Sequence, residues 1–161
     1  MDIKEVIKQA QESSNPTIES IPKNTFLYTA ELLYEIEVAF KKKEDSLLED
    51  LLAIAARDGL NHRYTSILCQ MLKEDWHYCQ EDIAMMLEEI RDPTSITPLY
   101  ERAINFLDYD DGRSLSRKCI WALGAIGTSE AKEKLILLKE MDDPIISEVA
   151  TLELHHKFDK D

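Results

Sequence analysis

A cluster of large aromatic and acidic side chains occupies one predicted break between helices. Trp76, His77 and Tyr78 fall in the break, and Glu81 and Asp82 begin the helix that follows. Buried aromatic rings supply much of the contact area in protein interfaces, and neighbouring carboxylates supply charge specificity. These residue types therefore predict a partner-binding site. An alternative interpretation is structural: Trp76 packs over a helix end, and the two acids complement the positive end of the next helix.

A second turn of similar composition begins at Tyr109, 33 residues after Trp76. It contains Tyr109, Asp110 and Asp111, and we expect it on the same edge of the molecule as the first turn. The alternative is an ordinary solvated turn, because aspartate is common in turns. Possible counter-charges for these acids follow on the next predicted helix, namely Arg113, Arg117 and Lys118.

The chain lacks the residue spacing that catalysis or metal binding would require. His77 and Cys79 lie close together, but the other histidines and cysteines follow no zinc-site spacing. The acidic run before Gly112 departs from a calcium loop, because this glycine is one position early and Cys119 stands where the terminal glutamate should be. No nucleophile has a recognisable base beside it. We therefore predict no enzymatic activity, no metal site and no cofactor.

The composition favours one folded domain with an acidic surface. The chain has 161 residues, 44% of them hydrophobic, which is enough to bury the core of a single domain over residues 1–161. Its 32 acidic and 19 basic residues give a formal net charge of -13. This excess repels phosphate backbones and attracts cations, so it disfavours nucleic acid and favours a cationic protein partner. An acidic surface can also serve only to keep a protein dispersed.

No segment has the pattern of a secretory signal or of a membrane span. The N-terminal stretch is charged and amphipathic, and no apolar run approaches the roughly 18 residues of a span. Cys69, Cys79 and Cys119 are odd in number and lie within or beside helical patterns, which favours buried, reduced thiols over disulfides. We expect a cytoplasmic protein that does not bind a membrane.

The elements that must hold the two turns are predicted to be helices. Apolar residues recur at helical spacing without convincing strand alternation, which indicates about nine helices. Residues 87–99 nearly repeat at residues 123–135, 36 positions later, and both copies predict helix, short break, helix. The apolar pairs Leu87/Leu123, Ile90/Ile126 and Leu99/Leu135 keep their spacing. The sequence therefore predicts an all-α solenoid of stacked antiparallel helix pairs, clearest over residues 76–157 and divergent over residues 1–75.

Two helices carry more specific expectations. Residues 113–126 are apolar nearly all the way round, with Trp121 about 200° from Cys119 on a helical wheel, so we expect packing on two sides. Gly124 would allow a neighbouring helix to approach closely, which is a structural reason for a glycine that weakens a helix. Toward the N-terminus, the pattern predicts a long helix from Phe26 to Phe40.

The segment from Lys118 to Leu135, with its Ala-Leu-Gly-Ala-Ile-Gly core, resembles the HEAT-like repeat of phycobilisome lyase-type proteins. A wider set of segments resembles small stand-alone bacterial HEAT-repeat proteins, namely residues 75–83, 91–93, 109–111 and 118–124. Many of those proteins look like immunity proteins of contact-dependent or polymorphic toxin systems. The resemblance implies a binding protein that neutralises a cognate toxin domain. The acidic balance is compatible with this, because a nuclease toxin must be basic to bind nucleic acid.

Two other functions stay open at this point. A general HEAT-repeat adaptor or scaffold would use the same kind of surface with modest affinity for several partners. A chromophore-handling lyase is the third possibility, but a shared repeat architecture does not by itself supply an activity.

Overall fold

In a computed structural model of the chain, which describes residues 2–12 and 21–159, all regular secondary structure is helical. The described part contains nine α-helices, and single 3-10 turns precede α4 and α6. The helices are α1 (Ile3–Glu12), α2 (Thr29–Lys42), α3 (Asp45–Asp58), α4 (Thr65–Leu72), α5 (Gln80–Ile90), α6 (Ile96–Ile104), α7 (Ser114–Ile126), α8 (Ser129–Lys139) and α9 (Pro144–Phe158). The predicted all-α class and the predicted number of helices are confirmed.

The two copies of the sequence repeat share one backbone design. Helix α5 is followed by Arg91 and α7 by Gly127, and both residues have left-handed backbone conformations, with φ of 57° and 71°. In each copy the next residue, Asp92 or Thr128, accepts a hydrogen bond from a backbone N–H at the start of the following helical segment. Both copies of the repeat therefore end one helix and begin the next in the same way, at the predicted interval.

Matched positions of the repeat also have matched burial. Leu87 and Leu123 are both fully buried, and so are Leu99 and Leu135. Ile90 and Ile126 are both partly buried against the core. Each copy thus buries the same face, as the spacing of its apolar residues predicts.

Helix α7 is the central element of the C-terminal half. It packs against α5, α6, α8 and α9. Alternate helices also pack on each other, with α5, α7 and α9 forming one row and α4, α6 and α8 forming another. Two such rows are consistent with stacked helix pairs, while the solenoid arrangement itself stays a prediction.

The two expectations for α7 have different outcomes. Gly124 is buried, and a Cβ atom at this position would overlap the carboxylate of Glu153 on α9, so the glycine leaves room for side chains of the neighbouring helix. The expected packing of α7 on more than one side is confirmed by its contacts with α5, α6, α8 and α9, but Trp121 itself is 40% exposed and is not part of the buried face. The four neighbours of α7 surround its other faces and leave the tryptophan at the surface.

Helix α2 begins at Thr29, later than the predicted start at Phe26, because a buried carboxylate holds the preceding segment. The side chain is Asp58 at the end of α3, which is fully buried. Its Oδ1 accepts a hydrogen bond from Leu27 N at 2.9 Å, and its Oδ2 accepts one from Tyr28 N at 3.1 Å. These bonds satisfy N–H groups just before α2 and tie the end of α3 to the start of α2.

We expect Asp58→Ala to lower the free energy of unfolding by roughly 2–4 kcal/mol, because two backbone N–H groups would lose their acceptors in a buried position. Asp58→Asn should lose less, since its remaining carbonyl oxygen still accepts a hydrogen bond. Denaturant titration followed by circular dichroism measures both. Asp111→Ala, at an exposed aspartate, is the control and should unfold with the parent chain. An Asp58→Ala midpoint equal to the parent's would show that this carboxylate does not hold the two helices together.

Candidate functional site

The turn between α4 and α5 is organised around a buried histidine. His77 is fully buried, its Nε2 donates a hydrogen bond to Met71 O at 2.7 Å, and its Nδ1 accepts one from Cys79 N at 3.1 Å. This pairing assigns the proton to Nε2 and leaves neither nitrogen free for a ligand. The prediction that His77 contacts a partner is therefore wrong: the side chain shapes the turn from within.

Trp76 packs over a helix end, as the structural interpretation of the first turn predicts. Its ring stacks on Phe40, in the last turn of α2, with centroids 5.7 Å apart and planes 27° apart. The Lys43 ammonium, just beyond α2, lies 6.0 Å from the centre of the same ring. Trp76 thus packs over the end of a helix and is partly buried.

Asp110 in the second turn is also a buried structural residue. It is 8% exposed, and its carboxylate oxygens accept hydrogen bonds from Ser114 N at 2.7 Å and Leu115 N at 3.0 Å. Its backbone carbonyl accepts a further bond from Arg113 Nη1 at 2.9 Å. Asp110 therefore caps the start of helix α7; it also lies in the wall of the pocket described below, but both of its carboxylate oxygens are already bonded to backbone N–H groups.

The remaining predicted residues come together on one surface. Tyr78 and Tyr109, from the two different turns, are 78% and 64% exposed. Together with Glu81 and Asp82 they line a shallow pocket of about 280 Å³, whose wall also includes Lys118 on α7. The prediction that the two turns lie on the same edge is confirmed. We call Tyr78, Glu81, Asp82 and Tyr109 the tyrosine surface; Asp111 is exposed in the turn beside it.

The electrostatic character of the tyrosine surface is negative. Partial burial raises the pKa of the Tyr109 hydroxyl, and the charges of Asp110 and Glu81 raise it further. Glu81 forms an ion pair with Lys118, which confirms one of the predicted counter-charges. Asp82 and Asp111 are exposed and supply the uncompensated charge. The surface and the turn beside it therefore offer two exposed phenol rings and the exposed carboxylates of Asp82 and Asp111 to a cationic partner.

A wider opening of about 740 Å³ lies on the other side of the first turn, between it and α6. Its walls carry charges of both signs, and the most buried of them, Arg102, pairs with Asp75 at 2.7 Å. The other charged side chains in its wall, Lys73, Glu101 and Asp108, are of mixed sign, so the opening lacks the uniformly acidic character of the exposed carboxylates near the two tyrosines.

Cysteine and metal chemistry find no support in the described residues. Burial raises the pKa of Cys69 to about 11 and of Cys79 and Cys119 to about 12, so these thiols stay protonated at neutral pH. Across residues 2–12 and 21–159, no three histidine, cysteine or acidic side chains are grouped as metal ligands would be. None of the helices in these ranges is both long enough and apolar enough to cross a membrane.

No protein-family model matches the chain, and comparisons with curated proteins and with solved structures give no significant match. The description of the tyrosine surface therefore depends on the residues of this chain alone.

Arg113 and Asp143 provide the remaining support beneath the second turn. The Arg113 Nε donates to Asp143 Oδ2 at 2.9 Å, and its guanidinium lies 3.9 Å from the centre of the Phe106 ring. The Asp143 Oδ1 also caps α9 by accepting hydrogen bonds from Ile145 N and Ile146 N. Burial alone would raise the pKa of Asp143, but these hydrogen bonds and the Arg113 charge outweigh it, so the pKa is lowered.

A lowered pKa in the folded state predicts stability that is present near neutral pH and is lost as the pH falls through that pKa. We expect Asp143→Asn to cost about 1 kcal/mol near pH 7, because the ion pair with Arg113 is lost while the amide oxygen still caps α9. Urea titrations over a pH series should show the variant and the parent converging as Asp143 takes up a proton in acid. Asp142→Asn, at the exposed neighbouring aspartate, should follow the parent throughout. A constant difference at all pH values would exclude a charge effect.

Proposed function

We propose that this protein is a toxin-neutralising immunity protein, which binds a cognate cationic toxin domain of nuclease type and blocks its active site in the cytoplasm. The observation that carries the proposal is the tyrosine surface. It joins exposed aromatic rings from two turns to free carboxylates on one edge of an acidic chain.

The surface has the composition that tight recognition of a cationic protein requires. Tyr78 and Tyr109 are more than half exposed, so a partner that covers them removes a large apolar area from water while their hydroxyls can still form hydrogen bonds. Asp82 in the same pocket wall and Asp111 in the second turn are exposed, so they can pair with lysine or arginine of the partner.

The net charge of -13 supports the kinetic part of the proposal. Opposite net charges accelerate diffusional encounter, and an inhibitor must capture its toxin before the toxin acts. A nuclease presents a positive surface for its phosphate substrate, and carboxylates that cover this surface would exclude the substrate. The proposal therefore predicts one partner, high affinity and an association rate that falls with salt.

A general adaptor or scaffold is the second candidate function, and exposed apolar side chains elsewhere on the molecule favour it. Trp121, Ile136, Leu137 and Leu152 lie on α7, α8 and α9, outside the tyrosine surface, and each is about 40% to about 50% exposed. An adaptor would hold several partners on such surfaces with modest affinity. The two functions therefore differ in the number of partners and in their dependence on salt.

The first test is a pull-down from the native cell at low and high salt, with the product of the adjacent gene included as a purified candidate. We expect one basic toxin domain to be retained, and its activity to be inhibited at equimolar inhibitor. Tyr78→Ala combined with Tyr109→Ala should weaken inhibition at least about tenfold, because the two rings are the largest exposed groups of the surface. Several weakly held proteins and no inhibited toxin would favour the adaptor.

Charge variants then locate the electrostatic part of the interface. Asp82→Lys with Asp111→Lys should slow association and reduce its dependence on salt, since both carboxylates are exposed on the tyrosine surface or beside it. Glu133→Lys with Glu148→Lys, on α8 and α9, is the matched control of equal charge change. Equal effects of the two pairs would show that only net charge matters and would reject the tyrosine surface as the contact site.

A further inference from the structure

A second surface, which shares only Asp82 with the tyrosine surface, lies between α3 and α5. Although α5 packs closely on α7, it does not pack closely on α3, and a groove of about 370 Å³ separates the two helices. The floor and walls of the groove are apolar or small side chains: Leu52, Ala53, Ala56, Leu60, Met85 and Met86. Met85 is 51% exposed, which is unusual for a large apolar side chain inside a concave surface.

The groove has a regular geometry. The lining residues of the two helices recur at a constant interval of 33 positions: Glu49 and Asp82, Leu52 and Met85, Ala53 and Met86, and Ala56 and Glu89. A hydrogen bond from Tyr78 N to Asp45 Oδ1, at 3.3 Å, joins the starts of the two helices at the same interval. Helices α3 and α5 therefore lie side by side and run in the same direction.

Every charged residue that lines the groove is acidic. These residues are Glu49 on α3 and Asp82 and Glu89 on α5, and all three are exposed. Burial raises the pKa of Cys79 at the start of α5, and the charges of Asp45, Glu49 and Asp82 raise it further, so the negative field reaches across the gap. An apolar strip between acidic edges fits an occupant with an apolar face flanked by cations.

Helix α1 is an example, within this chain, of an amphipathic helix that packs on α3. It packs on α3 with Ile3, Val6 and Ala10 buried, while Lys4 and Lys8 stay exposed. The groove lies between α3 and α5, and its walls extend over the seven-residue interval from Asp82 to Glu89, about 10 Å or two helical turns. Two turns suit a docking helix with apolar anchors at positions i, i+3 or i+4, and i+7.

We propose that the groove between α3 and α5 is a docking site for a basic amphipathic helix of a partner protein, with its apolar face against Met85, Met86 and Leu52 and its lysines or arginines against Glu49, Asp82 and Glu89. This goes beyond the proposed function, because the site does not require the tyrosines and accepts a helix whether or not its source is a toxin. Methionine side chains adapt to differently shaped anchors, so the groove selects pattern and charge more than one exact sequence.

The test uses the full chain and a synthetic helical peptide of about 18 residues, long enough to form a helix, with leucines along one face and lysines along its flanks. The control peptide has the same composition in an order that scatters the leucines round the helix. Methionine methyl groups labelled with carbon-13 report the location of binding. We expect the Met85 and Met86 signals to shift with the first peptide, while Met71 in the core and Met141 between α8 and α9 stay unchanged.

Two sets of variants separate the groove from general charge attraction. The groove set is Glu49→Gln, Asp82→Asn and Glu89→Gln; the matched set, on α8, its C-terminal end and α9, is Glu133→Gln, Glu140→Gln and Glu148→Gln. Fluorescence anisotropy should show at least about tenfold weaker binding with the groove set and little change with the matched set. Equal losses with both sets, or equal affinity for the scattered peptide, would overturn the proposal.

Filling the groove gives an independent check. Ala56 is exposed on its wall, so Ala56→Trp should block the peptide without unfolding the chain, whereas Ala30→Trp at an exposed position of α2 should not. The variant with Tyr78→Ala and Tyr109→Ala should keep peptide binding, which separates the groove from the tyrosine surface. Unchanged binding by Ala56→Trp would overturn the assignment. So would self-association of the parent chain that Ala56→Trp abolishes, because the occupant would then be a second copy.

Discussion

The backbone N–H groups in the first turn of a helix have no partner within that helix, and in this fold aspartates in the turns supply the missing acceptors. Asp92, Asp110 and Asp143 act in this way at the 3-10 turn before α6, at α7 and at α9, whereas Asp58 accepts hydrogen bonds from two N–H groups just before α2. A short turn between packed helices leaves little room for water, so the acceptor must come from the chain. The starts of α7 and α9 in particular are held by carboxylates of this kind.

This arrangement changes the interpretation of the acidic composition. Some of the negative charge belongs to the architecture, since Asp58 and Asp110 are buried and engaged with the backbone. Only the exposed acids, such as Asp82, Asp111 and Glu89, are available to attract a partner. A net charge therefore overstates the charge that a partner meets, and the placement of the free carboxylates decides where the field is directed.

The sequence predicted features that depend on local periodicity and missed those that depend on distant neighbours. The spacing of apolar residues predicts equivalent buried faces for Leu87 and Leu123, because helical periodicity depends only on residues that are near in sequence. The start of α2 was predicted at Phe26 because the acceptor that holds this segment, Asp58, lies about 30 residues away. Trp121 was placed in the core because one helix's pattern does not reveal which of its faces have neighbours.

The candidate site shows the same division. The interval between the two turns correctly placed Tyr78 and Tyr109 on one edge. The sequence did not reveal that His77 and Asp110 satisfy the backbone, because a polar residue in a turn has the same local sequence signature whether it faces a partner or satisfies the backbone. Their burial gives the exposed tyrosines a fixed base, so a partner that covers the rings has less disorder to remove than it would on a mobile loop.

The position of α7 has a consequence for how the molecule opens. Lys118 on α7 forms part of the wall of the pocket, while other faces of the same helix support α8 and α9. If α9 detaches, α7 loses its packing on one side. Because α7 also carries Lys118, local unfolding at the C-terminal end would then disturb the pocket. A ligand that holds Lys118 in place would therefore slow amide hydrogen exchange in α9, a helix outside the pocket.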